Sequence, residues 1–233
     1  MKKQDIYRRL EEKMLSYTDY SGVPLRPTSE ELVAIPKSGL AVGRQIDTAM
    51  QPYTGGTVFV RWTVLQKLRE AGKLLSEAPG DCQLEVVYGY RAPEVQRRLF
   101  EEHKDRLKNE FEGEDLIAAT HRVIAVPEVA GHPTGGAVDV QILADGKPAD
   151  MGTKIWDFLP DSFTFSPFIS KTAWNNRQLL RRLMMAVGFA PFDGEWWHFS
   201  YGDREWARYY GEGAAVYGQV EVTGNCTQGP SDG

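Results

Sequence analysis

The stretch GHPTGGAVDV, residues 131–140, constrains the fold more than any other part of this 233-residue chain. It places His132 seven residues before Asp139, separates them by two adjacent glycines, and leads into a β-type run. Glycine adopts backbone conformations that are strained for other residues, so the chain can turn back sharply here. The pattern predicts that the imidazole of His132 folds over the carboxylate of Asp139 at the start of a strand.

A second motif near the end of the chain, GEWWHFSYG at residues 194–202, supplies another histidine, His198. Two imidazoles and one carboxylate are the three-ligand set of a catalytic zinc ion with an open fourth position. Calcium and magnesium prefer oxygen ligands, so this nitrogen-rich set favours zinc. We therefore expect His132, Asp139 and His198 to bind one zinc ion per chain.

Glu195 lies three residues before His198 and is the candidate base for hydrolysis by a metal-activated water. In an ideal strand these two side chains would point to opposite faces. Glu195 must therefore lie on a bend after Gly194 if it is to reach the same site. The alternative is a solvated glutamate beside two core tryptophans, with Asp139 only capping a turn.

Hydrolysis of a peptide bond also requires a positive group near the developing oxyanion. Arg91 is the candidate, because it ends the β-rich run at residues 82–91 and precedes Pro93, where a helix can begin. Position alone gives it little advantage over the other arginines, most of which are expected to be solvated.

Length and composition favour one domain across residues 1–233, because a chain with 42% hydrophobic residues can bury a substantial core. Its formal net charge of -5 and pI near 5.5, without a basic tract, argue against nucleic-acid or membrane partners. Charges recur through Glu12 and Lys13, so the N-terminus lacks the apolar run of a signal peptide. We expect a cytoplasmic protein, and the sequence does not indicate its oligomeric state.

Hydrophobic periodicity and turn residues outline an α+β fold: a small antiparallel sheet backed by helices, with the zinc site on the sheet face. Helices are predicted at residues 5–17, 60–77, 94–111, 114–123, 175–187 and 203–210. Strands are predicted through Leu84, Val138 and Trp197. Proline and glycine are dense after residue 17, so residues 1–57 are expected to form an irregular segment that wraps the domain and is a candidate cap for the site. Residues 223–233 are expected to be a disordered tail.

Three motifs together, YGYRAP, GHPTGGAVDV and GEWWHFSYGD, resemble the D-alanyl-D-alanine dipeptidase family of zinc metallopeptidases, which is related to the D,D-carboxypeptidases of peptidoglycan. They occur in family order between residues 88 and 203, about half of the chain, and the first 50 residues match poorly. The resemblance implies that Glu195 is the catalytic base and that Arg91 stabilises the tetrahedral intermediate. It also implies zinc ligation by His132, Asp139 and His198.

Two further residues are candidates for substrate binding. Asp157 resembles the family's acidic residue near the substrate's ammonium group, although the match requires one extra residue after Met151. Tyr53 is a candidate for the wall of a cleft, with packing in the core as the alternative. The sequence departs from the family just before the first histidine, where Ala130 and Gly131 replace the serines that the family often has.

The resemblance implies a zinc-dependent dipeptidase that hydrolyses D-Ala-D-Ala or a similar D,D-dipeptide, so the expected partner is a small D,D-dipeptide. The doubled tryptophan before His198 favours the dipeptidases over the carboxypeptidases. One alternative is a D,D- or L,D-carboxypeptidase acting on longer peptidoglycan stem peptides. Another is an inactive zinc-containing binding module, against which the presence of both Glu195 and Arg91 argues.

Overall fold

A computed structural model describes residues 2–78 and 80–221, and within these ranges the chain forms eight α-helices and eight β-strands. In chain order the helices are α1 (Lys3–Glu11), α2 (Tyr17–Tyr20), α3 (Gln51–Thr54), α4 (Trp62–Ser76), α5 (Pro93–Leu107), α6 (Gly113–His121), α7 (Lys171–Ala186) and α8 (Arg204–Tyr210). The strands are β1 (Leu32–Ala34), β2 (Ala41–Gly43), β3 (Phe59–Arg61), β4 (Cys82–Tyr88), β5 (Ala137–Ala144), β6 (Lys147–Pro148), β7 (Ala190–Pro191) and β8 (His198–Ser200).

Six strands form the main sheet, in the order β2-β4-β5-β8-β7, with β6 paired to the end of β5. The strand β2 runs parallel to β4, whereas the other pairs are antiparallel, so the sheet is mixed. The predicted mixture of helices and strands is confirmed, but the prediction of a small, purely antiparallel sheet is wrong. The parallel strand was missed because β2 has only three residues, too few to show an alternating pattern.

One face of the sheet packs against α4 and α7 and forms the main hydrophobic core. Residues Val64, Leu68, Ala71 and Leu75 recur at helical spacing along α4, and all four are buried. The helix α7 begins at Lys171, four residues earlier than predicted, because the Ser170 hydroxyl caps it by accepting a hydrogen bond from the backbone N–H of Ala173. Both long helices predicted from periodicity are therefore confirmed.

The opposite face of the sheet is polar although it is also buried. The strand β5 alternates as predicted, with Val138 and Val140 in the core and Asp139 and Gln141 on the other side. The amide of Gln141 donates a 2.5 Å hydrogen bond to Glu85 on the neighbouring strand. Buried polar groups need partners of this kind, and the polar face is where a site can be built.

The first 57 residues contain more regular structure than predicted. The helix of residues 5–17 is divided into α1 and α2, and the segment after it supplies β1 and β2. The strand β1 pairs with β3 in a separate two-stranded antiparallel sheet, and α2 packs against α8 near the end of the chain. The predicted disordered tail, residues 223–233, lies outside the described residues. Among the described helices, none is long and apolar enough to cross a membrane.

We expect Leu68→Ala to lower the free energy of unfolding by about 2–5 kcal/mol, because it leaves a cavity between α4 and the sheet. Leu68 is fully buried, whereas Leu159 is 55% exposed. The matched variant Leu159→Ala should therefore change stability by less than about 0.5 kcal/mol. Urea unfolding of the two variants measures this difference. Equal losses of stability in both would contradict the assignment of the core.

Candidate metal centre and active-site cavity

Two of the predicted ligands, Asp139 and His198, are direct neighbours across the sheet. The antiparallel register of β5 and β8 pairs the Cα atoms of these two residues. Residues opposite each other in such a pair project to the same face with their Cβ atoms about 5 Å apart. The Nδ1 atom of His198 consequently lies 3.0 Å from Oδ1 of Asp139.

The third predicted ligand, His132, arrives from the turn before β5. A short 3-10 turn at His132–Thr134 ends at Gly135, whose φ of 73° is in the left-handed region. The next residue, Gly136, also has no room for a side chain, since a Cβ there would lie 2.3 Å from the carbonyl oxygen of Tyr201. The predicted fold-back is present, and Nε2 of His132 lies 3.4 Å from Oδ1 of Asp139.

Both first-motif side chains are held by a second hydrogen bond. His132 donates from Nδ1 to the carbonyl oxygen of Gly89 over 2.8 Å, which leaves the Nε2 lone pair facing Asp139. The indole of Trp156 donates a 2.8 Å hydrogen bond to Oδ2 of Asp139, so Oδ1 faces the two histidines. Burial alone would raise the pKa of Asp139, but His132 and His198 hold this pKa well below its usual range.

This arrangement fits a zinc ion. One donor atom from each of His132, Asp139 and His198 can be chosen so that all three lie within 4.8 Å of one another. Two atoms bound to one tetrahedral zinc at about 2.1 Å are about 3.4 Å apart, close to the separations of the Asp139 oxygen from the two imidazoles. A hydrogen bond on the other nitrogen of His132 and on the other oxygen of Asp139 is typical of metal ligands.

Glu195 lies on a bend, as the spacing of the second motif requires. The strand β8 begins only at His198, and a turn precedes it in which the N–H of Glu195 bonds to Phe192 and the N–H of His198 bonds to Glu195. The glutamate lines the same cavity as the three candidate ligands. Among the described residues its carboxylate has no hydrogen-bond partner, and burial raises its pKa to about 8 although His198 opposes this.

The guanidinium of Arg91 lines this cavity from the end of β4. Its Nε donates a 3.0 Å hydrogen bond to the hydroxyl of Tyr88, and its Nη1 donates a 2.7 Å bond to the side chain of Gln96. The Tyr88 hydroxyl in turn donates to Asp47 over 3.0 Å. A planar guanidinium held at two points has a defined orientation, so position in the fold distinguishes Arg91 from the solvated arginines.

The two candidate substrate-binding residues are not brought to the cavity. The carboxylate of Asp157 instead accepts a 2.9 Å hydrogen bond from the backbone N–H of Lys154 and closes a turn. It lies beside a different surface depression, although its neighbours Trp156 and Phe158 do line the cavity. Tyr53 is half-buried and packs against a small core cluster that contains Met50 and Phe59, which matches the alternative considered for it.

Three cavity residues carry no signal in the sequence: Tyr20 from α2, His121 from α6 and Glu205 from α8. The N–H of Val126 donates to Nδ1 of His121, so the proton of this neutral ring is on Nε2 and is donated to the Tyr20 oxygen over 2.8 Å. Burial lowers the pKa of His121 to about 4, which keeps the ring neutral at pH 7. These residues come from distant parts of the chain and share no motif.

Comparison with known proteins bears on these features. The peptidase M15 family, described as D-ala-D-ala dipeptidase, matches residues 60–215, about two thirds of the chain. A D-alanyl-D-alanine dipeptidase of Synechocystis sp. is 28% identical over 238 residues, which cover 87% of this chain and 96% of the relative.

Solved structures with similar folds include two vancomycin resistance proteins. The D,D-pentapeptidase VanY in complex with Zn(II) is 19% identical with a TM-score of 0.43, covering 84% of this chain and 96% of its own. VanYB in complex with D-alanine-D-alanine is 20% identical with a TM-score of 0.44, covering 81% and 88%. The family match includes the two histidine motifs and the segment between them. The chain therefore belongs to the M15 peptidase family of D-alanyl-D-alanine dipeptidases, which are zinc metallopeptidases.

Proposed function

We propose that this protein is a zinc-dependent dipeptidase that hydrolyses D-Ala-D-Ala or a closely similar D,D-dipeptide. The observation that carries the proposal is the convergence of five side chains on one cavity: the candidate ligands His132, Asp139 and His198, the carboxylate of Glu195 and the guanidinium of Arg91. This set contains a metal-binding group, an acid–base group and an oxyanion-binding group, which together are what peptide hydrolysis requires.

In this proposal His132, Asp139 and His198 hold the zinc ion. When bound, the ion supplies a water whose pKa is lowered to about 7 and a positive charge next to the scissile carbonyl. The protein's contribution is to hold the ligand atoms in place before the ion arrives. Gly89 fixes the ring of His132 and Trp156 fixes the carboxylate of Asp139, so little side-chain freedom is lost on binding.

Glu195 is proposed to move the proton. Its carboxylate takes a proton from the attacking water as the new carbon–oxygen bond forms, and it gives that proton to the leaving amine as the carbon–nitrogen bond breaks. Among the described residues no hydrogen bond restrains this carboxylate, and it faces the same cavity as the ligands. Both observations support a group that must accept and release a proton within one reaction.

Arg91 is proposed to stabilise the negative charge that develops on the carbonyl oxygen. Its bonds to Tyr88 and Gln96 hold the guanidinium in the cavity wall, so its orientation needs little change during the reaction. Donors that are oriented in advance are the effective ones, because they require no reorganisation as the charge forms.

The walls of the cavity support a short substrate. Tyr20 and His121 meet over one side of it through their hydrogen bond, and α2 is thereby joined to the end of α6. The N-terminal segment thus contributes to closing the site. A longer peptidoglycan stem peptide would have to pass this wall, so we place the carboxypeptidase alternative second.

The proposal predicts that the zinc-loaded protein releases D-alanine from D-Ala-D-Ala and that a chelator abolishes this release. L-Ala-L-Ala and a pentapeptide stem ending in D-Ala-D-Ala serve as controls, and both should be hydrolysed at least about tenfold more slowly. Chromatographic measurement of released amino acids distinguishes the outcomes. No turnover by zinc-loaded protein would refute the proposal, and faster cleavage of the stem would establish the carboxypeptidase instead.

Ligand and base are separated by two variants. His132→Ala should lower both the zinc content and the melting temperature, because metal binding is linked to folding. Glu195→Gln should retain one zinc ion per chain and the wild-type melting temperature or better, yet lose turnover. Metal analysis, thermal unfolding and the dipeptide assay are run on both proteins. Unchanged zinc stoichiometry in the first variant, or unchanged turnover in the second, would contradict the assigned role.

Arg91→Ala should lower kcat by roughly 100- to 1000-fold, the usual effect of removing one oxyanion donor. Zinc content should be unaffected, since Arg91 is not among the candidate ligands. Arg98 is a matched control, because it is exposed on the next helix and pairs only with Glu102. The Arg98→Ala variant should keep wild-type kcat and KM. A change of KM alone in Arg91→Ala would assign this arginine to ground-state binding.

A further inference from the structure

Glu205 lies in the first turn of α8 and lines the cavity next to the proposed zinc site. Among the described residues its carboxylate has neither a hydrogen bond nor an ion pair. Its neighbour Asp203 is fully engaged, since it caps α8 through the N–H of Trp206 and accepts a bond from Ser200. An acidic residue in a first helical turn does favour the helix, but it can do so from the solvent. The position of Glu205 in the cavity needs another explanation.

The surroundings of Glu205 favour a cation that is not part of the protein. Burial raises the pKa of its carboxyl group to about 7, and the charge of Asp203 adds to this while His198 opposes it. Arg204 cannot compensate, because it donates to the backbone carbonyls of Ser21 and Val23. Arg91, on the same cavity, is held by its own two partners. A buried carboxylate without a partner is costly, and a cationic ligand would remove this cost.

Tyr20 adds a second acceptor on this side of the cavity. The helix α2 packs against α8, and both Tyr20 and Glu205 line the cavity. The Tyr20 oxygen accepts the proton on Nε2 of His121, as described above, and retains a second lone pair. Burial and the charge of Glu205 raise the pKa of Tyr20, which keeps its hydroxyl neutral. A carboxylate and a phenol oxygen together suit an ammonium group, which has only donors to offer.

We infer that Glu205 binds the N-terminal ammonium group of the dipeptide and so makes a free amino group a requirement for substrates. This inference rests on the proposed function and names its specificity residue. Asp157, the sequence-based candidate for the same role, closes a turn beside a different surface depression. A substrate with a blocked or extended amino end brings a neutral amide to Glu205 and leaves the buried carboxylate unpaired. Sites built around such a polar contact strongly reject analogues that lack it.

The test compares hydrolysis of D-Ala-D-Ala with that of N-acetyl-D-Ala-D-Ala. The wild-type protein should prefer the free dipeptide by at least about 100-fold in kcat/KM, a difference expected when a buried polar group loses its partner. Glu205→Gln should raise KM for the free dipeptide by about 10- to 100-fold and reduce the preference by a similar factor. Glu205→Asp, which keeps the charge, should retain part of the preference. Zinc content should be that of the wild type in both variants.

Two further variants complete the experiment. Glu212 is exposed just after α8, and Glu212→Gln should keep both KM and the preference. Asp157→Asn decides between the two carboxylates, and loss of the preference in this variant instead of in Glu205→Gln would overturn the inference. If the Glu205 variants fail to fold, equal wild-type turnover of free and acetylated dipeptide would also overturn it. Absence of any wild-type turnover would refute the proposed function itself, so the two failures are distinguishable.

Discussion

The pairing of Asp139 with His198 across two central strands is the contact on which the rest of the site depends. It is a consequence of register, since the backbone hydrogen bonds of β5 and β8 place these two residues opposite each other. A shift of one residue would send both side chains into the hydrophobic core. The register is therefore protected by burial, because Val138 and Val140 must remain on the opposite face.

The sheet separates two kinds of chemistry. One face is covered by α4 and α7 and contributes most of the buried apolar surface, which stabilises the fold. The other face holds buried polar side chains, and most of them have partners, as Gln141 has in Glu85. Glu195 and Glu205 are the described cavity carboxylates that lack one. The helical layer thus supplies the stability that allows two unpaired carboxylates to face a cavity.

Closure of the cavity depends on the two ends of the described chain. The helix α2 near the N-terminus packs against α8 near the C-terminus, and Tyr20 and Glu205 enter the cavity from these two elements. Neither element contributes a candidate zinc ligand. The proposed chemistry therefore resides in the sheet and the turns next to it, whereas the proposed choice of substrate resides in helices that were added around it. In such an arrangement specificity can change while the metal centre does not.

The sequence by itself determined the features that depend on neighbouring residues. Periodicity identified α4 and α7, the two glycines of the first motif required the turn that presents His132, and the spacing of the second motif required Glu195 to lie on a bend. Only the tertiary structure decided the features that depend on distant contacts. The three residues of β2 were too few to show a pattern, and their pairing with β4 made the sheet mixed. Asp157 was directed into a turn by Lys154, and Glu205 was brought to the cavity by the packing of α8. Local spacing cannot encode such positions, because they result from which elements meet after the core has formed.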